Sequence, residues 1–89
     1  MSKIMRHKAL CEELNAIYEA KNHDYGDSFH QTYMEEGLAM CRIRLSDKLN
    51  RFKSITRSGT YVSAESAKDT LLDLANYAIM TVLEMEDEE

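Results

Sequence analysis

KDTLLDLANYAIMTVLEM, residues 68–85, carries its apolar side chains at helical rather than alternating spacing. At ~100° per residue, Leu71, Leu72, Leu74, Ala75, Ala78, Ile79 and Val82 cover about half of a helix's circumference, with Tyr77, Met80 and Met85 on parts of the remainder. A segment this apolar reads as a helix in the middle of a bundle. Set into it, Glu65, Asp69, Asp73 and Asn76 fall within an arc of about 80° along three turns, so this polar stripe is expected to look into a cleft. Like charges at i, i+4 repel by a few tenths of a kcal/mol in an exposed helix, and by more where water is excluded. Something cationic should offset them.

Working outward, RSGTYVSAES ends its turn-forming part at Ser63, a good N-cap for this last helix. Proline is absent, and the three glycines, Gly26, Gly37 and Gly59, divide the chain into four pieces of helical periodicity. In LAMCRIRLSDKLNRFKSI, residues 38–55, Leu38, Cys41, Leu45, Leu49 and Phe52 form a narrow stripe with a basic shoulder of Arg44, Lys48 and Arg51 beside it. In the first piece Leu10, Leu14, Ile17 and Tyr18 share a face, and Lys21 continues that line one turn on, so it leaves the helix along the core side. Between Gly26 and Gly37 there is room for one short helix, with Asp27 or Ser28 as N-cap and Gly37 as its end. The fold class is all-α: a small bundle of four helices, three long and one short, forming a single domain over 1–89. The acidic run from Glu84 is expected to fray, because negative charge at a helix C-terminus opposes the macrodipole.

Composition narrows the partners. The formal net charge of −5 argues against non-specific nucleic-acid binding, which needs a basic excess. No apolar run approaches the ~20 residues that span a bilayer, and the opening MSKIMRHKAL lacks the apolar centre of a signal peptide, so no membrane association and a cytoplasmic location are expected. Cys11 and Cys41 fall inside helical segments and read as reduced thiols serving as small core residues. A chain of 89 residues has little core of its own, while its last helix carries more apolar surface than its neighbours would cover. A homodimer, or a dimer of dimers, follows.

The residues with chemical potential gather around KNHDYGDSFH, residues 21–30, and the two polar faces. Two cation sources would satisfy the acidic stripe: Mg²⁺, which takes a few carboxylates and keeps waters for phosphates, or Lys21, Arg44, Lys48 and Arg51 as a purely structural ion-pair network. His23 and His30 do not form a zinc pattern with each other or with the cysteines. No nucleophile motif and no Gly-rich phosphate loop is present.

KNHDYGDSF, RLSDKLNRF and ESAKDTLLDLANYAIM together resemble a small phage and bacterial family, the nucleotide modification associated domain, whose members are similar to MazG-type all-α nucleotide pyrophosphohydrolases. The resemblance covers roughly residues 10 to 85. In the MazG-type enzymes two helices each offer paired acids that bind Mg²⁺ and direct water at a nucleoside triphosphate. Here Asp69 and Asp73 stand where the last helix would have acids and Thr70 where another acid is expected, while Asp47 and Asn50 occupy the corresponding region of the preceding helix. The resemblance implies a nucleotide ligand, with Asp69 and Asp73 as catalytic residues and Asp24, Glu65, Asp69 and Asp73 holding Mg²⁺. It places Lys21, Arg44, Lys48 and Arg51 on phosphate and Tyr25 or Asn76 on base or sugar, with hydrolysis by metal-activated water. Two classes stay open: a Mg²⁺-dependent pyrophosphohydrolase of nucleoside triphosphates, and a non-catalytic nucleotide-binding or interaction module.

Overall fold

The structure is a computed structural model that describes residues 1–57 and 64–87 and, of Tyr25 and Ala64, the backbone. Its described residues form four helices and no strand: α1 (Lys3–Tyr25), α2 (Ser28–Glu36), α3 (Leu38–Arg57) and α4 (Ala64–Asp87). The all-α reading of the glycine-punctuated periodicity holds. No helix among the described residues is long and apolar enough to cross a membrane. The Ser63 cap expected for α4 lies outside the described residues.

Local chemistry sets the helix ends. Ser2 caps α1, its hydroxyl accepting from the Met5 amide at 3.2 Å. Asp27 stands at the N-cap of α2 without a side-chain cap bond. Gly26 (φ 67°, ψ −161°) and Gly37 (φ 66°, ψ −153°) occupy a backbone region that side chains all but forbid, which turns the chain sharply on either side of α2. At Gly37 an added Cβ would meet nothing within 4 Å, so glycine is required there by the backbone alone. Gly37→Ala is therefore expected to destabilise the fold by about 1–3 kcal/mol without any clash. A thermal melt checks this: a loss of about 4–8 °C per kcal/mol is the scale for a chain of this size.

The buried apolar core is small: Tyr33 from α2 with Met40 and Cys41 from α3, and Phe29 packed against them. Cys41 is the core thiol that its position predicts. Cys11 is not; it is exposed on α1, where its Sγ lies 3.8 Å from His7 Nδ1, in a stretch exposed throughout from Met1 to Glu13. The α3 stripe is buried only in part, with Leu45 and Phe52 half-buried and Leu38 and Leu49 exposed.

α4 turns part of its polar stripe to the cleft, as its phase predicts, keeps Leu72, Leu74 and Ala75 half-buried, and leaves the rest of its apolar arc outside. The side it turns to the bundle carries Thr70 and Glu84, both buried, with Asp73, Asn76 and Tyr77 half-buried. Leu71, Ala78, Ile79 and Val82 are exposed. Thr70, Asp73, Asn76 and Glu84 each have a partner in α1, α2 or α3, whereas Leu71, Ala78, Ile79 and Val82 have no further helix among the described residues to cover them. The helix also runs on through Asp87, past the start of the acidic run, since Glu84 is a buried partner of His30 rather than a solvated end charge.

Candidate functional site

All four helices contribute to one cleft of about 230 Å³. α1 supplies Tyr18, Lys21 and Asn22; the α1–α2 turn and α2 supply Gly26, Ser28, Phe29 and Thr32. Met40 and Arg44 come from α3, and Asp73, Asn76, Tyr77 and Met80 from α4. One side is therefore charged and the other aromatic and thioether.

Asp73 organises the charged side. Lys21 Nζ reaches its Oδ1 at 3.1 Å from α1, and Lys48 Nζ its Oδ2 at 3.3 Å from α3. One carboxylate thus ties three helices together, and Arg44 adds a third cation to the same cleft. Next to this group, Arg51 Nε donates to Thr70 Oγ1 at 3.3 Å, and that hydroxyl in turn donates to the Ser66 carbonyl at 2.9 Å. Asn76 Nδ2 donates to the Leu14 carbonyl at 3.1 Å, crossing from α4 to an otherwise complete turn of α1. With Lys21 and Lys48 29–60 % exposed, each ion pair is worth only about 0–1 kcal/mol, so the array positions its side chains more than it stabilises the fold.

On the opposite side the rings of Phe29 and Tyr77 stack with centroids 5.9 Å apart and 27° between planes, joining α2 to α4. Next along α2, His30 Nδ1 lies 2.7 Å from Glu84 Oε2. The hydrogen bond to Glu84 and then its charge hold His30 above its ordinary value; Asp27 and Asp87 add to the rise, and burial opposes it.

Of the residues singled out from the sequence, Lys21, Arg44, Asp73 and Asn76 line the cleft together, Lys48 is held at Asp73, and Arg51 one turn away at Thr70. Asp24, Glu65 and Asp69 are exposed and do not line it. Tyr25 closes α1, and its side chain lies outside the described residues. Among the described residues no three His, Cys, Asp or Glu side chains come together as a group that could hold a metal ion. Both oxygens of Asp73 are engaged by ammonium groups, so a Mg²⁺ ion at Asp73 would share that carboxylate with Lys21 and Lys48 and meet their charge. The sequence gives no signal for the pairing of Phe29 with Tyr77 or of His30 with Glu84, because each joins helices about 50 residues apart.

Four helices around a cationic, aromatic-sided cleft define a small all-α domain with a built polar site. The chain belongs to the family described as nucleotide modification associated domain 1, whose model matches residues 21–85. That span takes in every cleft residue except Tyr18. No curated protein and no solved structure gives a significant match.

Proposed function

We propose that the chain binds a nucleotide in this cleft, with Lys21, Arg44 and Lys48 on the phosphates, Arg51 adding long-range attraction, and Asn76 and the Phe29–Tyr77 side facing base and sugar. The observation that carries this reading is a carboxylate held by two ammonium groups, Lys21 and Lys48, with Arg44 lining the same cleft, in a chain whose net charge is −5. Local positive charge against a negative background focuses small anions and leaves polyanions unattracted. Ammonium and guanidinium groups bind phosphate oxygens directly, so they supply on their own the charge that a metal would otherwise bring. Binding without catalysis is the form the geometry favours, within the nucleotide-modification setting that the family description suggests.

Mg²⁺-dependent hydrolysis is the second reading. The resemblance to MazG-type enzymes favours it, as does the succession of Glu65, Asp69 and Asp73 on α4. Against it, a metal at Asp73 would compete with Lys21 and Lys48, and no second carboxylate among the described residues lines the cleft beside it.

Asp73→Asn separates the two. Removing the negative charge leaves Lys21 and Lys48 to the phosphates, and one unit charge at ~4 Å in water is worth about 1 kcal/mol, so triphosphate binding in a metal chelator should tighten about fivefold. Titration calorimetry across the nucleoside triphosphates, with chelator and with Mg²⁺, measures it. Loss of binding confined to Mg²⁺-containing buffer, together with pyrophosphate release by the wild type, would instead establish the hydrolase; no binding by the wild type under either condition removes both.

The same reading includes a homodimer, or a dimer of dimers, assembled through the exposed apolar arc of α4.

A further inference from the structure

α2 is nine residues long and is bounded at each end by a glycine whose backbone stands where side chains are all but excluded. Such joints change φ and ψ with little steric barrier, which is what a hinge requires. Between them, Ser28, Phe29 and Thr32 form one wall of the cleft. Three contacts hold this wall down: Tyr33 in the core beside Met40 and Cys41, Phe29 on Tyr77, and His30 on Glu84.

The last of these differs in kind. The Glu84 side chain is 9 % exposed, and the partner it finds is His30, 54 positions away on another helix. A buried carboxylate that loses its partner carries the full desolvation penalty, and it regains water only if the elements covering it separate. Apolar contacts do not act this way, since weakening one leaves no group seeking solvent. We propose that α2 is a hinged lid on the nucleotide cleft, turning at Gly26 and Gly37 and latched by the His30–Glu84 contact. This rests on the cleft being the nucleotide site, since a lid elsewhere would gate nothing.

The latch responds to pH. The charged groups acting on His30 are Glu84 and Asp87 from α4 and Asp27 just ahead of α2; all are acidic, and no charged group of α3 is among them. Protonated His30 therefore gives the stronger latch. Its folded value lies above the ordinary one of 6.5, so the charged contact is complete below about pH 6.5 and is lost as pH rises through the raised value. The lid is tighter in mild acid and looser in alkali.

The molecule carries its own reporter. Cys41 is buried at 2 % exposure beneath α2, while Cys11 is exposed on α1. A chromogenic disulfide reagent at low concentration should label the nucleotide-free protein in two phases, Cys11 fast and Cys41 at the intrinsic thiolate rate multiplied by the fraction of time α2 is open. His30→Gln should speed the Cys41 phase about ten- to a hundredfold, the factor carried by a hydrogen bond to a charged group. Its dependence on urea should be shallower than that of global unfolding, since opening α2 uncovers Tyr33, Met40 and Cys41 while the packing of α4 on α1 and α3 remains. In the wild type, the ratio of the Cys41 to the Cys11 rate should rise between pH 6 and pH 9, Cys11 serving as the internal reference for thiolate formation; in His30→Gln the ratio should stay flat. A Cys41 rate unchanged by His30→Gln overturns the latch, and a urea dependence equal to that of global unfolding overturns the hinged lid. No nucleotide is present, so this outcome is independent of whether the cleft binds one.

Discussion

A chain carrying Ile79→Glu and Val82→Glu is expected to scatter light as a 10.3 kDa monomer where the wild type scatters as a dimer or larger. The wild-type chain exposes 6876 Å², against about 5,400 Å² for a compact monomer of its mass. Its radius of gyration is 14.7 Å, against about 12 Å for a compact chain of its length. The surplus of about 1,500 Å² is well above the ~800 Å² that a standard interface takes from each partner, and within the range of obligate homodimers. Leu71, Ile79 and Val82 stand on one arc of α4 at 42–51 % exposure, and every residue from Met1 to Glu13 is exposed, Ile4, Met5 and Leu10 among them. Among the described residues the first half of α1 meets the rest of its chain through the Lys68–Glu13 pair at 3.3 Å and buries no side chain, and a nearly free helix of that length is marginal in water. A second copy would supply what both surfaces lack, which is the dimer proposed above.

The magnitude follows from where the charges would land. An unpaired carboxylate placed in an apolar interface costs several kcal/mol, so two of them should weaken dimerisation by about a thousandfold or more. Stability should fall with it and become dependent on protein concentration in the wild type only, because association and folding are linked by mass action. A wild type that is itself a stable monomer at micromolar concentration removes the interface and leaves the α4 arc without a role.

This arc also shows how far the sequence can be read. Helical period and glycine punctuation made the all-α class and the four elements legible, since both are local properties that tertiary contacts do not reverse. Helix phase placed Lys21 on the inner line of α1 and Asp73 among the polar residues of α4, and these two do meet. Phase also turned the polar stripe of α4 towards a cleft, which Asp73 and Asn76 do line, but it did not separate them from Glu65 and Asp69 of the same stripe, which are exposed. α4 buries Thr70 and Glu84, leaves Leu72, Leu74 and Ala75 half-buried and exposes Ile79 and Val82, because its inner polar groups are matched by partners on other helices. Those matches join Arg51 to Thr70 and His30 to Glu84 from different helices, and pairings between helices depend on crossing geometry that no spacing within a helix encodes. Thr70 is instructive: it stands where the resemblance implies an acid, and in the structure its hydroxyl accepts from a guanidinium, a donor that would have paired equally well with a carboxylate.

The second large effect concerns the cations. Arg44→Gln combined with Lys48→Gln is expected to weaken nucleoside triphosphate binding about a hundredfold at low salt, since two charge-assisted contacts at about 1.5 kcal/mol or more each are lost together. The unphosphorylated nucleoside should lose less than about threefold, because neither side chain meets base or sugar in this reading and its binding has no charge to screen. At about 1 M salt the Debye length falls to ~3 Å, and the triphosphate deficit should shrink towards the nucleoside value. Arg44 is the more informative of the two, as it lines the cleft while Lys48 is also a partner of Asp73. Arg44→Gln alone should therefore leave the melting temperature near that of the wild type, whereas Lys48→Gln also removes one of the two contacts that tie α4 to its neighbours through Asp73. Calorimetric titrations at two salt concentrations, paired with thermal melts, separate these contributions. Equal losses for nucleoside and triphosphate, persisting at high salt, would make the basic shoulder a structural network and take the phosphates out of the cleft.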